Sequence, residues 1–329
     1  MNSLTIAIPT YHRTRELLRL LSLIKSQLNR LQPVGLVDVL VRDNSDNDET
    51  KNEIAHSEFA VESWLDYSKN EGNVGFDRNM LNLFCEAKGD YVWFIGDDDI
   101  IFEGSIQKVL ELIAENADIV HLPFRQPQNL EYPQYQRSPR IQYWMETSAA
   151  VEQILKYIKI TSFVLRRNSL ALDQKKLSEA FGVSGWMHLI LCFEVLLNSA
   201  RVKTMTLSEF FAGSLDAEWK KVNWTPDSAL LAKKLSEHDI CKKFDLRRVI
   251  GKFERGMYLG GIQMTLLVTS GKMSTEHPAQ YTDFGAAYPF MLFLLWKPIW
   301  LIKYLIIKLR AGASFKGLIT SYERFKTPT

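Results

Sequence analysis

Residues 91–100 read YVWFIGDDDI, a run of apolar residues that ends in adjacent aspartates. The apolar run is typical of a strand that is buried on both faces, as strands of parallel sheets are. Such a strand places Asp97, Asp98 and Asp99 at the carboxyl edge of the sheet, where ligands bind in open α/β folds. Because adjacent carboxylates repel one another, we expect a cation to accompany them.

The spacing of these aspartates favours a divalent metal. On an extended chain alternate side chains point the same way, so Asp97 and Asp99 are predicted to face a common ligand. Hard cations bind one or two carboxylates and complete their coordination with phosphate and water oxygens. We therefore predict that Asp97 and Asp99 bind Mn²⁺ or Mg²⁺, with one of them able to bind ribose instead, and that the metal bridges a nucleotide diphosphate. The alternative is an acidic turn that caps the next helix, but one aspartate would suffice for that.

The bulk composition is that of an ordinary globular protein. The chain has 329 residues, of which 46% are hydrophobic and 24% charged, and its net charge is +2. This length allows one large domain with an appendage, and the small net charge gives no basic field for nucleic acid. Three widely spaced cysteines predict neither disulfides nor a metal site and are typical of a reducing cytoplasm. The N-terminal MNSLTIAIPTYHR predicts a strand and no signal peptide.

Strand and helix patterns alternate along the first half of the chain. This alternation predicts a mostly parallel sheet flanked by helices and joined by right-handed crossovers. The predicted strands are LTIAIPT, VDVLVRDNS, ESWLDYSKN, YVWFI, ADIVHLPF, TSFVLRR and RVKTMTLSEFFAG. The predicted helices are RTRELLRLLSLIKSQL, FDRNMLNLFCEA, GSIQKVLELIAEN, AAVEQILKYIK and a segment from Ser184 through LILCFEVLL, whereas DNSDNDET and residues 124–147 are predicted to be loops. We predict an α/β domain over residues 1–215 and a helical region over residues 216–329.

The most apolar part of the chain lies in residues 286–310, which contain YPFMLFLLWKPIWLIKYLIIKLR. A membrane-spanning helix needs about 20 uninterrupted apolar residues, but Lys297, Pro298, Lys303 and Lys308 interrupt this segment. Aromatic residues mixed with lysines favour an amphipathic helix in the headgroup region of a membrane. A buried helical hairpin is the alternative, and the cations disfavour it.

The end of the first strand reads IPTYHRTREL and contains no glycine. It therefore carries neither the G-x-G-x-x-G loop of dinucleotide-binding proteins nor a P-loop. Pro9, Thr10, Tyr11 and Arg13 stand there instead, and an aromatic ring beside hydrogen-bonding groups suits a nucleobase. The second strand ends in VRDNS, which makes Asp43 a candidate acceptor for a base N–H. Taken singly, each residue is equally compatible with ordinary loop chemistry.

The segments IPTYHR, RDNS, NEGNVGFDRN and FIGDDD together resemble the GT-A fold of family 2 glycosyltransferases across residues 1–105. The resemblance implies a nucleotide-diphospho-sugar transferase. The nucleotide-sugar would be held by the first-strand loop, the aspartate after the second strand and the acidic trio, which here are Pro9, Thr10, Tyr11, Arg13, Asp43 and Asp97 to Asp99. The element from Asn70 to Asn79 implies that Arg78 lies near the diphosphate or ribose. Many family members carry a further aspartate where this chain has Gly96.

The resemblance also implies inversion, which needs a base to take the proton from the acceptor hydroxyl. Where the family usually has a Glu-Asp pair, this chain reads FGVSGWMHLILCFE. His188 is the first candidate because histidine titrates near neutral pH. Glu194 is the second candidate, although at helical spacing its side chain would face away from that of His188. A packing role for His188 is an equal alternative, and Trp186 suits either stacking on a sugar or packing.

The GDDD and SGWMH variants are similar to those of bacterial enzymes that build O-antigen repeats, including abequosyltransferases. That similarity implies a metal-dependent transfer from a nucleotide-sugar to a hydroxyl of a polyprenyl-diphosphate-linked saccharide. It also implies a cytoplasmic protein, peripheral on the inner membrane. Alternatives are an abequosyl-type enzyme with a CDP-dideoxysugar, a sugar-1-phosphate nucleotidyltransferase, and a non-catalytic partner of a glycan-assembly complex. The missing basic, glycine-rich loop disfavours the nucleotidyltransferase.

Overall fold

A computed structural model describes a large part of the chain. It covers residues 2–31, 35–122, 124–125, 141–155, 158–167, 170, 172–181, 185–200, 202–207, 212–214 and 235–253. The predicted membrane-associating segment, residues 286–310, lies outside the described residues. The chain divides into two compact units, of which the first comprises Met1–Ala217 with Lys233–Ile250 and the second comprises Glu218–Ala232 with Gly251–Thr329.

The strands of the first unit form two sheets. They are β1 (Leu4–Thr10), β2 (Val37–Asp43), β3 (Leu65–Lys69), β4 (Tyr91–Phe94), β5 (Asp99–Ile101), β6 (Ile119–His121), β7 (Phe124–Arg125), β8 (Ile141–Trp144), β9 (Phe163–Arg166), β10 (Thr204–Leu207) and β11 (Ala212–Ser214). The main sheet has eight strands in the order β3-β2-β1-β4-β9-β6-β10-β8, and the small sheet has the order β5-β11-β7. In the main sheet only β8 and β9 run against the others. The predicted mostly parallel α/β sheet is confirmed.

Helices cover both faces of the main sheet. They are α1 (Thr14–Leu28), α2 (Glu49–His56), α3 (Phe76–Glu86), α4 (Ser105–Ile113), α5 (Thr147–Ile154), α6 (Gln174–Phe181), α7 (Met187–Asn198) and α8 (Asp239–Phe244), with a 3₁₀ turn at Ile160–Ser162. α1 packs with α2 and α4, whereas α3 packs with α6 and α7. The chain moves in one direction across the sheet through β1, β2 and β3, and then returns past β1 to β4. Because each crossover is right-handed, helices that connect strands in opposite directions lie on opposite faces of the sheet, which explains the two groups of helices.

Apolar periodicity explains the core on the α1 side of the sheet. Every residue of β1 is buried, and α1 buries Leu17, Leu20, Leu21 and Ile24, which share one face at helical spacing. These side chains pack in one cluster with Trp93 of β4. Burial of each large side chain stabilises the fold by roughly 1.5–3 kcal/mol, so this cluster fixes α1 against the strands that lead to the acidic residues.

The sequence patterns missed the more exposed elements. DNSDNDET was predicted to be a loop, but α2 begins at Glu49 and buries only Thr50 and Ile54. RVKTMTLSEFFAG was predicted as one strand, but β10 belongs to the main sheet and β11 to the small one.

Within the described part of the chain, no helix has both the length and the apolar character that crossing a bilayer requires.

The strand order places a crevice beside the acidic residues. β1 lies between β2 and β4, so the chain continues from β1 to β2 on one side and later adds β4 on the other side of β1. A reversal of this kind opens a space at the carboxyl ends of the two central strands. Thr10 ends β1 there, and Asp97 to Asp99 follow β4.

Candidate functional site

The residues after β4 form a tight turn and not an extended chain. The Asp99 N–H donates to the Gly96 carbonyl at 3.0 Å. The expectation of alternating side chains along an extended strand is therefore wrong for Asp97 and Asp99, because the turn gives each carboxylate its own surroundings. Asp97 and Asp99 are buried, whereas the side chain of Asp98 is 35% exposed.

Asp97 is held by the first strand and the first helix. Its carboxylate accepts hydrogen bonds from the Thr10 hydroxyl at 2.8 Å and from Arg13 Nη1 at 3.0 Å. The same guanidinium nitrogen lies 2.8 Å from Asp98 Oδ2. Burial raises the pKa of Asp97 to about 6, and Arg13 and Thr10 oppose that rise. The loop between β1 and α1 thus contacts the acidic turn directly.

Asp99 is held from the other side of β4. The Thr161 hydroxyl donates to Asp99 Oδ2 and accepts from the Gly96 N–H at 3.1 Å. Thr161 lies in the 3₁₀ turn before β9, which pairs with β4. Burial and the nearby charge of Asp98 raise the pKa of Asp99 to about 7, and Lys159 opposes the rise. Among the described residues, Asp99 Oδ1 has no hydrogen-bond partner.

The protein supplies some of the positive charge that the acidic trio requires. Arg13 forms ion pairs with both Asp97 and Asp98, and Arg19 donates to the Asp98 carbonyl at 3.2 Å. The remaining donor atoms fit a hard divalent cation, because the Asp98 carboxylate is partly exposed and Asp99 Oδ1 is orphaned. No group of three acidic, histidine or cysteine side chains in the described part of the chain forms a complete metal site. Ligand oxygens would have to complete the coordination.

Gly96 makes room for the acidic side chains. A Cβ atom at this position would lie 3.0 Å from Asp99 Oδ2 and 3.1 Å from Asp98 Oδ1. Any side chain there would therefore displace both carboxylates. The absence of a side chain at Gly96 therefore lets both carboxylates lie where they do.

Asp43 organises the loop after β2. It is fully buried, and its carboxylate accepts from the Ser45 N–H and the Tyr67 hydroxyl, each at 2.8 Å. Ser45 also donates its hydroxyl to Asp43 and accepts the His12 N–H at 2.8 Å. Burial and the hydrogen bond to Asp43 raise the pKa of Tyr67. Asp43 therefore ties the β2 loop to the β1 loop.

The aromatic residue of the first loop faces solvent. The Tyr11 side chain is 47% exposed, and its ring contacts the His12 ring edge-on at 4.3 Å. His12 adopts a positive φ of 53°, and its Nε2 lies 2.9 Å from Asp46. Pro9 is buried within β1. Of the predicted first-loop residues, Tyr11 is thus presented outward, whereas Thr10 and Arg13 turn to Asp97.

Asparagine side chains connect the loops after β2 and β3. Asn44 Oδ1 accepts from Asn70 at 2.9 Å and from the Val74 N–H at 3.0 Å. Asn70 also donates to Asn79 at 3.0 Å, and Asn79 donates to the Arg42 carbonyl at 3.0 Å. The sequence motif from Asn70 to Asn79 begins and ends with members of this network. The sequence did not predict their hydrogen bonds, because these depend on the pairing of β2 with β3.

Arg78 lies on the exposed face of the first turn of α3. It lines an open cleft of about 410 Å³ between α3 and α6, together with Leu81, Asn82, Gln174, Lys175, Ser178 and Glu179. In the described part of the chain, hydrogen bonds to the acidic turn come from Thr10, Arg13, Arg19 and Thr161, and the place of Arg78 near the diphosphate or ribose stays a prediction.

The two candidate bases make packing and pairing contacts. His188 is buried and its Nε2 donates to the Ile158 carbonyl at 2.8 Å, while Nδ1 has no hydrogen-bond partner in the described part of the chain. Burial lowers the pKa of His188 to about 4. Glu194 lies 3.0 Å from His238 Nε2, just before α8. Neither residue forms a hydrogen bond with the acidic turn among the described contacts, and their catalytic roles stay predictions.

Sequence reasoning missed Asp77, which contacts the loop before α7. This buried carboxylate accepts the Gly185 N–H at 2.6 Å and the Met187 N–H at 2.9 Å. From the sequence alone, Asp77 cannot be distinguished from the acidic residues that commonly occupy the first turn of a helix. Thr161 and Lys159 were also missed, because neither lies near the acidic trio in sequence.

Comparison with known proteins identifies the family. Residues 5–173, more than half of the 329, match the family model "Glycosyl transferase family 2". Abequosyltransferase RfbV of Salmonella typhimurium is 31% identical over 117 residues, which cover 35% of this chain and 34% of that relative. The match thus spans about a third of the relative's length.

Solved structures share the fold. S. aureus TarS 1-349 in complex with UDP-GlcNAc superimposes with a TM-score of 0.57 at 15% identity, over 95% of this chain and 93% of that one. The mannosyltransferase PcManGT from Pyrobaculum calidifontis, in complex with GDP-Man and Mn²⁺, gives 0.52 at 11% identity, over 94% and 87%. The predicted GT-A-like fold is confirmed, and the chain is a glycosyltransferase that belongs to glycosyl transferase family 2.

Proposed function

We propose that this enzyme moves one sugar from a nucleotide-sugar to a hydroxyl of a lipid-linked saccharide during O-antigen or other surface-polysaccharide assembly. We further propose that the transfer inverts the anomeric configuration and depends on Mn²⁺ or Mg²⁺. The observation that carries the proposal is the meeting of Thr10, Arg13 and the acidic turn at the point where the strand order reverses. The relatives support it, since one is an abequosyltransferase and others bind UDP-GlcNAc or GDP-Man.

Each loop at the carboxyl edge has a role in binding the donor. The exposed Tyr11 ring stacks on the nucleobase, and Asp43 takes a base N–H. Because both oxygens of Asp43 already accept hydrogen bonds, the base must share an acceptor with Ser45 or Tyr67. Pro9 and Thr10 shape the loop that carries these contacts. Arg13 and Arg78 provide positive charge for the diphosphate and ribose.

The acidic turn holds the divalent cation. Asp97 and Asp99 are the predicted ligands, and the exposure of Asp98 adds its carboxylate to the set. The orphaned Oδ1 of Asp99 supports a role for that residue. When bound, the cation supplies positive charge next to the leaving diphosphate. Arg13 forms ion pairs with Asp97 and Asp98, so it orients these two carboxylates.

The acceptor side requires proton removal from the attacking hydroxyl. His188 and Glu194 are the predicted bases. His188 is neutral near pH 7, since burial lowers its pKa to about 4, but its Nε2 proton is committed to Ile158. The geometry supports His188 better as a group that fixes the 158–162 segment, through which Thr161 orients Asp99.

The lipid-linked acceptor is proposed from residues 286–310. Aromatic residues and lysines in that segment suit a helix in the headgroup region, which would hold the enzyme on the cytoplasmic face of the inner membrane. The similarity to an abequosyltransferase favours, as a finer alternative, a CDP-dideoxysugar as the donor.

A donor screen tests the proposal. UDP-, GDP-, CDP- and dTDP-sugars are each added with Mn²⁺, and the melting temperature and the release of nucleoside diphosphate are measured. We expect one nucleotide class to raise the melting temperature, because binding to the folded state stabilises it, and to be slowly hydrolysed. Asp99→Ala should lose both effects. Binding without any release would favour the non-catalytic partner, and no response to any donor would contradict the proposal.

A further inference from the structure

The first turn of α7 is fixed from two sides. Asp77 accepts the N–H groups of Gly185 and Met187 at 2.6 and 2.9 Å. On the other side, the His188 side chain donates to the Ile158 carbonyl at 2.8 Å. Two buried polar groups from separate segments therefore define where this turn lies.

These anchors place the turn at the carboxyl edge of the sheet. Asp77 belongs to the first turn of α3, where Asn79 donates to the Arg42 carbonyl near the end of β2. Ile158 comes just before the 3₁₀ turn whose Thr161 contacts Asp99. The α7 turn thus borders the crevice from the α3 side, whereas Arg13 reaches the acidic residues from the α1 side.

The residue at the start of α7 is unusual for a helix. Ser, Thr, Asp or Asn usually occupies the N-cap and binds the free N–H groups of the first turn. Here the N-cap is Trp186, which provides no side-chain cap. Asp77, more than a hundred residues earlier in the chain, accepts the N–H groups on either side of Trp186, those of Gly185 and Met187. The remote cap leaves the N-cap position for a partly exposed indole.

We propose that Asp77 is a positioning residue for the acceptor. It caps α7 from α3 so that Trp186 is held as a flat apolar surface at the crevice, on which a sugar ring of the acceptor saccharide stacks. A Ser or Asp at position 186 would provide an ordinary N-cap but would remove this surface. The inference rests on the proposed glycosyltransfer and adds the residues that recognise the acceptor.

Steady-state kinetics separate this role from simple stabilisation. Transfer is measured with the donor that the screen identifies and with octyl galactoside, octyl mannoside and octyl rhamnoside as acceptor probes. Donor hydrolysis is measured without acceptor. We expect Asp77→Asn and Trp186→Ala to raise the KM for the accepted glycoside about tenfold, with donor hydrolysis nearly unchanged, as loss of one aromatic contact implies. Trp186→Phe should retain most of the acceptor affinity.

Asp118→Asn is the matched control. Asp118 is also buried and accepts a backbone N–H, from Lys203, and a hydroxyl, from Ser199, each at 2.8 Å. It lies at the start of β6, on the opposite edge of the sheet. We expect this variant to lower the melting temperature without changing the acceptor KM.

The outcomes distinguish the inference from the function on which it rests. If the wild-type enzyme hydrolyses a donor and glycosylates a probe, but Asp77→Asn lowers hydrolysis and transfer equally or behaves like Asp118→Asn, the positioning role is overturned. If the wild-type enzyme neither hydrolyses a donor nor glycosylates a probe, both proposals fail. Hydrogen exchange at the Gly185 and Met187 amides gives a readout independent of turnover, and it should accelerate in Asp77→Asn alone.

Discussion

At the residue scale, three adjacent aspartates have three different surroundings. Asp97 is bound by Thr10 and Arg13, Asp99 is bound by Thr161, and Asp98 is the one that solvent reaches most. Identical side chains in sequence are thus not equivalent as ligands. The Asp98 carboxylate is open to solvent, whereas the two buried carboxylates, which we propose as metal ligands, also fix the shape of the turn.

Asp98→Asn should separate binding from stability. We expect Mn²⁺-dependent affinity for the nucleoside diphosphate to fall at least about tenfold, because a neutral amide is a poor ligand for a hard cation. The melting temperature should change little, since the side chain is partly exposed. Calorimetric titration with and without Mn²⁺ measures the affinity. Asp66→Asn, at an exposed aspartate paired with Arg42, is the control, and unchanged affinity in Asp98→Asn would count against the metal assignment.

His188→Gln should distinguish support from proton transfer. Burial lowers the pKa of His188 to about 4, so the imidazole stays neutral above about pH 5. If His188 only holds the Ile158 carbonyl in place, His188→Gln should lower kcat about tenfold and leave the pH–rate profile unchanged. Loss of a general base would lower kcat about 10²- to 10⁴-fold and abolish the acid limb of that profile. Glu194→Gln, measured in parallel, tests the second candidate.

At the element scale, the turn between β4 and β5 depends on a glycine. Gly96→Ala would bring a Cβ atom to 3.0 Å from Asp99 Oδ2 and 3.1 Å from Asp98 Oδ1. We expect the displacement of both carboxylates to cost about 1–3 kcal/mol of stability and to weaken Mn²⁺-dependent nucleotide binding. Denaturant unfolding and calorimetry measure the two effects.

Gly72→Ala provides the comparison for that variant. A Cβ atom at Gly72 meets no atom within 4 Å, so its substitution should alter neither stability nor binding appreciably. Equal behaviour of the two variants would show that the close approach at Gly96 has no functional consequence.

The elements that the sequence predicts well are the ones that bury a regular apolar pattern. β1 and α1 match their predicted segments, because every β1 residue and one whole face of α1 are buried. α2 and α6 bury only two residues each, so their periodicity was too weak to detect. The antiparallel insertion of β9 between β4 and β6 depends on tertiary pairing, which no local pattern encodes.

The same distinction holds for the candidate site. The acidic trio and Asp43 stand directly after strongly apolar strands, so their location at the sheet edge was predictable. Thr161 and Asp77 reach the site from distant segments, and only the folded topology brings them there. The sequence did not predict the turn after β4, and it therefore did not predict that Asp98 would be the exposed aspartate.

At the scale of the whole molecule, the buried carboxylates make stability depend on pH. The pKa values of Asp97 and Asp99 are raised to about 6 and about 7, so the folded state binds protons more tightly than the unfolded state. Their stabilising contribution is complete below the unfolded pKa and is lost as pH rises through about 6 and 7. We expect these two carboxylates to make the metal-free protein about 2 kcal/mol less stable at pH 8 than at pH 6, of which the opposite effect of His188 offsets about 1 kcal/mol.

Denaturant unfolding across this pH range measures the effect. His188 acts in the opposite sense, because its lowered pKa destabilises the fold only as pH falls below the ordinary histidine value. Mn²⁺ should restore stability at pH 8, and the double variant Asp97→Asn, Asp99→Asn should lose the fall in stability above pH 6 and keep only the opposite slope of His188. A metal-free protein that is equally stable at both pH values would contradict the assigned burial.

The membrane association that we propose is tested with the full chain. We expect it to sediment with vesicles that contain phosphatidylglycerol, and the triple variant Lys297→Gln, Lys303→Gln, Lys308→Gln to bind about 100-fold more weakly, at about 1 kcal/mol per lysine. Replacement of Lys51, Lys88 and Lys108 by Gln changes the net charge equally and should leave binding unaffected. If both triple variants bind alike, residues 286–310 do not provide the contact.

The central position of β9 has a consequence for biosynthesis. β4 ends at Phe94 and β9 begins at Phe163, so a nascent chain must leave the edges of both β4 and β6 unpaired until the later strand emerges from the ribosome. Open edges of apolar strands are templates for pairing with other chains. Translation products that stop before Thr161 are therefore expected to aggregate or to be retained by chaperones, and no such fragment contains the hydroxyl on which Asp99 depends.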